Sequence, residues 1–276
     1  MNKNLPVSAS VAGMVLIALL GAGCGGRPES AGTSGGASGA ANASPRHGGV
    51  LRFAGPGDPP HLDPFDTPSA AFHNQGPGMV YSRLLRYEHR TGLPSLAYTP
   101  GPDLAERWEQ IDPSTYVFHL RKGVKFQNLA PVNGREVAAD DVIYSYNRQR
   151  EQGRPNAGQL ASVAGISAPD KYTIRISLKQ PNPDFLIDLT DGHNQVVPRE
   201  TVELTGDLKN GPNIGSGPWI LEKFEKGGAT FYKRNPDYFQ QPLPYVDRVE
   251  AYNNFSDSTS KIAAFRTGKL DVLEGI

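Results

Sequence analysis

The chain has 276 residues, enough for one large or two small domains at ~150 residues each. Its 28 Lys+Arg balance 28 Asp+Glu, which excludes the basic footprint of a nucleic-acid or anionic-membrane binder. A single cysteine, Cys24, excludes an internal disulfide, while 11 Tyr and 11 Phe are ample for a packed core.

Lys3 is the only charged side chain before an apolar run from Val11 to Ala22. That run is shorter than the ~20 residues that span a bilayer, and it fits the apolar region of an export signal. From Gly25 to Gly49 the chain is mostly Gly, Ser, Ala, Asn and Pro. Such a stretch cannot bury enough apolar surface to offset its ordering entropy, so a flexible tether is expected over 25–48. Val50–Phe53 reads as a short opening strand, and the Gly/Pro-rich stretch from Gly55 to Pro64 reads as turns. Within it, Asp63 is placed to close a turn on its own backbone. Val80, Leu84 and Leu85 stand at helical spacing and predict a core helix over Met79–Leu85. Trp108 is expected to pack rather than to stack a ligand.

The clearest pattern runs from Ser114 to Arg148. Tyr116, Phe118 and Leu120 alternate with Val117, His119 and Arg121, the period of a half-buried strand. Val124 and Phe126 resume the apolar face after Gly123, and Pro131, Asn133 and Gly134 break it. From Ala139 the period becomes helical, with Val142, Ile143 and Tyr146 on one face and Asp140 and Asp141 in the first turn, where the macrodipole favours negative charge. A second alternating strand is expected over Tyr172–Leu178, ended by Pro181 and Pro183. Val196–Glu200 reads as a strand end and a helix with Pro198 at its first turn. A strand follows at Trp219, Leu221 and Phe224, and another opens at Val246–Val249. Ser258 is placed to cap a helix with Ile262 and Phe265 on one face, and Gly268 stops it. Leu270–Val272 begins a further strand.

Catalytic and metal patterns are weak. The six histidines (His47, His61, His73, His89, His119, His193) show no His-Glu-x-x-His or other ligand spacing. The Gly-rich run Asn213–Trp219 is followed by a strand, whereas a phosphate loop needs a helix N-terminus and a serine elbow needs Gly-x-Ser-x-Gly before a helix. Asp140–Asp141 reads as an ordinary helix-start pair rather than a metal site.

Phe118, Leu120, Arg121, Gly123 and Phe126, followed by Asp141, Val142 and Ser145, carry a signature. It resembles the family 5 extracellular solute-binding proteins, the peptide- and nickel-type receptors of ABC importers. Further stretches resemble that family in the expected order: Leu62-Asp63-Pro64, Leu84-Leu85, Leu104-Ala105-x-x-Trp108, Gly215-Ser216-Gly217-Pro218-Trp219, Arg234-Asn235-x-x-Tyr238-Phe239 and Gly268-x-x-Asp271-Val272. One departure is Gln127-Asn128-Leu129-Ala130, which stands where the family turns sooner through a Gly and predicts a longer turn.

The resemblance implies an α/β fold of the periplasmic-binding-protein-like type II class. Lobe one would comprise 49–83 and 187–276, with an inserted α+β subdomain over 84–186 and Phe185–Leu189 re-entering the larger lobe. The second lobe would be missing, the chain being a C-terminally truncated fragment. Thr67, Pro68, Ser69, Ala70 and Glu274 are implied to line the lobe-one ligand cleft. Leu20-Gly21-Ala22-Gly23-Cys24 resembles a bacterial lipoprotein signal over 1–24, which implies a lipid on the Cys24 thiol and a protein anchored to the outer face of the cytoplasmic membrane or periplasmic.

The implied function is the substrate-binding subunit of an ABC importer, a monomer whose partners are a peptide or other small solute and the permease subunits. No catalytic residue, metal or cofactor is implied, and no nucleic acid. Because such receptors trap ligand by closing two lobes, this chain alone is expected to bind weakly or not at all. Two alternatives stand beside this reading: an exported hydrolase or metalloenzyme, and a surface interaction or folding-helper module on the same scaffold.

Overall fold

The structure, a computed structural model, describes residues 45–273 apart from 56, 74–76, 89–91, 93, 95–97 and 256. The chain starts one sheet, leaves to build a second, and returns to finish the first. Strand β1 (Val50–Ala54) leads through the Pro-rich loop to a single helical turn, α1 (Ala70–His73), and a 3-10 turn at Pro77–Val80. The short strands β2 (Ser82–Arg83) and β3 (Leu85–Tyr87) follow, and β4 (Pro100–Pro102) pairs antiparallel with β3. Next come β5 (Ala105–Asp112), β6 (Thr115–Leu120), α2 (Ala139–Gln149), β7 (Val163–Asp170) and β8 (Thr173–Leu178). These four strands form an antiparallel sheet in the order β5-β6-β8-β7.

After α3 (Phe185–Leu189), strand β9 (Gln195–Val196) pairs with β2 and α4 (Arg199–Thr205) follows. Strands β10 (Trp219–Phe224), β11 (Ala229–Arg234) and β12 (Arg248–Tyr252) complete the other sheet in the order β1-β12-β11-β10. There β1 is parallel to β12 and the remaining pairs are antiparallel. Helix α5 (Ser258–Arg266) then brings the chain back to β1, where Val272 bridges parallel to Phe53. The Asp271 N–H donates to Arg52 O at 2.8 Å, and the Arg52 N–H donates to the Asp271 carboxylate at 2.7 Å.

Two apolar cores follow from these sheets. The alternating residues of β6 and β8 behave as their period requires: Tyr116, Phe118, Leu120, Ile174, Ile176 and Leu178 are buried together. Trp108 packs against the edge of that core, as expected. The second core gathers Phe65, Phe72, Val80, Tyr81, Val197, Tyr232 and Val249. The cores meet at their boundary, since neighbouring Val196 and Val197 point into different ones.

Helix α2 is fixed at its first turn and at its middle. The Asp141 carboxylate accepts from the Ala138 N–H at 2.9 Å and from both terminal nitrogens of Arg135, at 2.9 and 2.7 Å. Arg135 also pairs with Glu200 at the start of α4. Ser145 accepts from the Val197 N–H at 2.9 Å and donates to Asp141 O at 2.7 Å.

Four expectations are corrected. Met79–Leu85 is not one core helix: Met79 and Val80 end the 3-10 turn, and beyond it the backbone pairs across strands, Ser82 with Val196 and Leu85 with Pro102. Phe185 and Leu189 of α3 fill the core of the antiparallel sheet, with the Phe185 ring 5.0 Å from Tyr116, rather than joining the core of the other sheet. Helix α5 is capped by Asp257, whose side chain accepts from the Ser260 N–H, and not by Ser258. Its buried residue is Ala264, while Phe265 is exposed.

Candidate functional site

The loop after β1 is folded around one buried carboxylate. Asp63 closes the expected turn, its Oδ1 accepting from the Phe65 N–H at 2.9 Å. Its Oδ2 accepts from Arg148 Nη2 at 3.0 Å and from the Leu208 N–H at 3.1 Å. Asp63 and Arg148 are both buried, so the loop, α2 and the segment after α4 are joined through a desolvated ion pair.

That joint holds the segment Thr67–Ala70. Thr67 is fully buried, and its carbonyl accepts from His73 Nε2 at 3.0 Å and Asn156 Nδ2 at 2.8 Å. Its Oγ1 accepts from the Ser69 N–H at 3.1 Å. Pro68 is exposed and Ser69 half-buried, and Ala70 is the first residue of α1. The segment therefore reaches the surface on a braced backbone.

His73 connects it to a second cluster. The His73 and His193 ring centroids lie 3.8 Å apart at 48°, and His193 Nδ1 contacts the Asp191 carboxylate. Thr67 O can only accept, so His73 Nε2 carries the hydrogen and Nδ1 is a lone pair, buried and without a partner. Burial, then the neighbouring His193, holds the His73 imidazole down at about 4. Burial alone would raise the Asp191 carboxyl, but hydrogen bonding from His193 outweighs it and leaves it below the usual carboxylate range. Sequence reasoning missed this pairing, because the two histidines are far apart in the chain.

A cavity of about 200 Å³ adjoins this cluster, lined by His73, Gly78, Arg83, Arg86, Asp103, Gln195, Trp219 and Tyr238 among others. Asp103 is buried and accepts from the Arg83 N–H at 2.8 Å; burial pushes its carboxyl up against the opposing pull of Arg83. Gln195 donates through Nε2 to Gly78 O at 3.3 Å, leaving its buried Oε1 without a partner. Gly78 has to be glycine here, since a Cβ would stand 2.6 Å from that amide nitrogen and 2.7 Å from Phe72 O.

A larger groove of about 670 Å³ lies between Pro60–Leu62, Lys209–Ile214 and Leu221–Phe224. Of its three lysines, Lys209 and Lys223 are paired with Asp66 and Glu225, and Lys226 also lines the groove.

Cys24 and Glu274 lie outside the described residues. Among the described residues no group of three or more His, Cys, Asp or Glu could hold a metal ion. His119 pairs with Glu109 at 2.8 Å on the exposed side of its strand. The Gly-rich run closes packing: a Cβ on Gly215 would meet Val80 O at 2.0 Å, and the Gly217 N–H donates to that same oxygen at 2.9 Å.

Residues 99–276 match the model of the family described as bacterial extracellular solute-binding proteins, family 5 Middle. The chain is similar to the di/tripeptide-binding protein 1 of Pseudomonas aeruginosa, 26% identical over 245 residues, covering 80% of this chain and 44% of that one. It is also 26% identical over 244 residues to the dipeptide-binding protein of Escherichia coli, covering 81% of this chain and 44% of the relative. Among solved structures it resembles an ABC transporter-associated periplasmic binding protein from Helicobacter pylori in complex with the peptide STSA. That match has a TM-score of 0.71 and 28% identity, over 82% of this chain and 46% of that one. The chain thus spans less than half the length of these relatives.

Proposed function

The chain belongs to the family 5 bacterial extracellular solute-binding proteins, and from that premise we propose that it serves an ABC importer as substrate-binding subunit. It contributes one lobe of a receptor that takes up peptides or similar small solutes outside the cytoplasmic membrane and delivers them to the permease. The observation that carries this reading is the braced segment Thr67–Ala70, held from below by His73 and Asn156 and open to solvent at Pro68. A pre-ordered backbone at the surface suits recognition of an extended ligand by main-chain hydrogen bonds, with neighbouring pockets choosing side chains. Thr67, Pro68, Ser69, Ala70 and Glu274 form the lobe-one wall of that cleft. No bond is made or broken, and capture followed by release is the whole task.

In this reading the lobe comprises 49–83 and 187–276, with 84–186 as an inserted subdomain whose core Leu189, Val196 and Ile214 of the lobe also enter. Cys24 carries a lipid that moors a monomeric receptor through the tether, and the reading needs neither cofactor nor metal. Deleting the gene tests it: growth on peptides as the sole source of a required amino acid should fail and return with the intact gene. Undiminished growth overturns the importer reading, and turnover of a chromogenic ester by the purified protein would favour a hydrolase instead.

A further inference from the structure

We propose that the turn α1 is an acid-operated latch: protonation of the buried His73 ring drives it out from under Thr67 and lets the segment Thr67–His73 open locally while the rest of the fold stays closed. The latch is a short chain of contacts. His73 is 6% exposed and donates through Nε2 to Thr67 O at 3.0 Å. Its ring lies against His193, centroids 3.8 Å apart, and His193 is itself held on the Asp191 carboxylate. Nδ1 of His73 is buried without a hydrogen-bond partner, so the ring fits its place as a neutral group. Thr67 O, the Gly192 backbone and Asp191 all favour a charge there, yet burial and the facing His193 outweigh them. The charged residues that border the same cavity do not reverse this. Arg83 and Arg86 add positive charge, and Asp103 is engaged by the Arg83 N–H at 2.8 Å.

The turn is the part that can yield. It has four residues, and its amides at Phe72 and His73 both return to Ser69 O, at 2.9 and 3.4 Å. A helix that short does not hold itself. Phe72, fully buried in the second core, and the His73 ring hold it from its two sides. Phe72 keeps the open state rare at neutral pH, and acid multiplies that rare population. In the open segment the ring takes its proton near pH 6.5, in the closed one only near 4. The hold is therefore complete above about pH 6.5 and is lost as pH falls toward 4. Between pH 7.5 and 5 the ratio of open to closed segment should rise about thirtyfold. The opening does not depend on the importer reading. Only its consequence does: if Thr67–Ala70 is the ligand wall, acid loosens that wall.

The test is hydrogen exchange on the 276-residue chain, read amide by amide by NMR at pH 7.5 and 5 with intrinsic exchange rates divided out. The Phe72 and His73 amides should open about thirtyfold more often at pH 5. Low urea should leave that opening unchanged, since a local event exposes little surface. His73→Gln, which keeps a donor for Thr67 O, should remove the rise. His193→Gln, which takes away the opposing ring charge, should shrink it, and it covers the case in which the His73 variant fails to fold. Opening of these two amides that does not change with pH overturns the proposal. So does a rise that survives in His73→Gln, or opening that grows with urea as steeply as at the core amides of β6 and β8, for then acid unfolds the whole chain and not the turn.

Discussion

His73 is a buried base kept neutral. Its imidazole is held down at about 4 by burial and by His193, while in the unfolded chain it returns to its ordinary value near 6.5. Between those values the unfolded chain binds a proton that the folded chain refuses. Stability from this group is therefore full above about pH 6.5 and drains as pH falls toward about 4, by at most roughly 3 kcal/mol. Urea midpoints measured from pH 7.5 to 4.5 should fall, and His73→Gln, which still offers Thr67 O a donor, should flatten that fall. A pH dependence left unchanged by the substitution would refute the assignment. The Asp63–Arg148 pair makes a different demand. Removing either partner strands the other charge in the interior, so Asp63→Ala or Arg148→Ala should each cost about 3–5 kcal/mol by denaturant unfolding. Asp63→Ala/Arg148→Met together should cost less than the sum. At this scale the sequence discloses only what is local. Asp63 is readable as a turn-former because Phe65 is two residues on. Its pairing with Arg148, and the tilted ring contact of His73 with His193, arise from chain crossings that no local pattern encodes.

Elements are legible where periodicity and pairing agree. The strands β6 and β8 alternate in sequence and pair with each other through Tyr116–Ile176 and Phe118–Ile174, so both faces are set twice over. Met79–Leu85 shows the opposite case. Its apolar spacing is helical, but Ser82 and Leu85 are claimed by β9 and β4, and tertiary pairing overrides the period. The glycines at 215 and 217, already excluded as a phosphate loop by the strand that follows, are places where backbone approaches Val80 too closely for any Cβ. Helix α5 gives an element-scale test. Its N-terminal N–H of Ser260 is satisfied by Asp257 at 2.9 Å, so Asp257→Ala should cost about 1 kcal/mol. Ser258→Ala, at the position favoured from sequence alone, should change the unfolding midpoint little. The reverse ranking in thermal melts would return the cap to Ser258.

Among the described residues two large cores stand beside a small third one at Ala54, Ala264 and Leu270, and each large core has one tryptophan: Trp108 borders the core of the antiparallel sheet and Trp219 the core of the other. Two cores need not unfold together, and an inserted subdomain on a loose hinge would melt by itself. Here the boundary argues for coupling. Val196 and Val197 are adjacent in the chain and buried in different cores, and Gln127 donates from its side chain to Trp219 O at 2.7 Å while its N–H donates to Gly215 O at 2.9 Å. Arg135 clamps Asp141 of α2 to Glu200 of α4 across the same border. Loss of either core would expose one of two neighbouring valines and strand the buried Gln127, so partial unfolding forfeits contacts on both sides. Trp108→Phe and Trp219→Phe each leave one reporter, and the two urea transitions should coincide in midpoint and slope, as for a single cooperative unit. Separated midpoints would instead make the antiparallel sheet an independent folding unit, and Gln127→Ala should then leave the separation unchanged. If the unit is single, Gln127→Ala should lower both midpoints together.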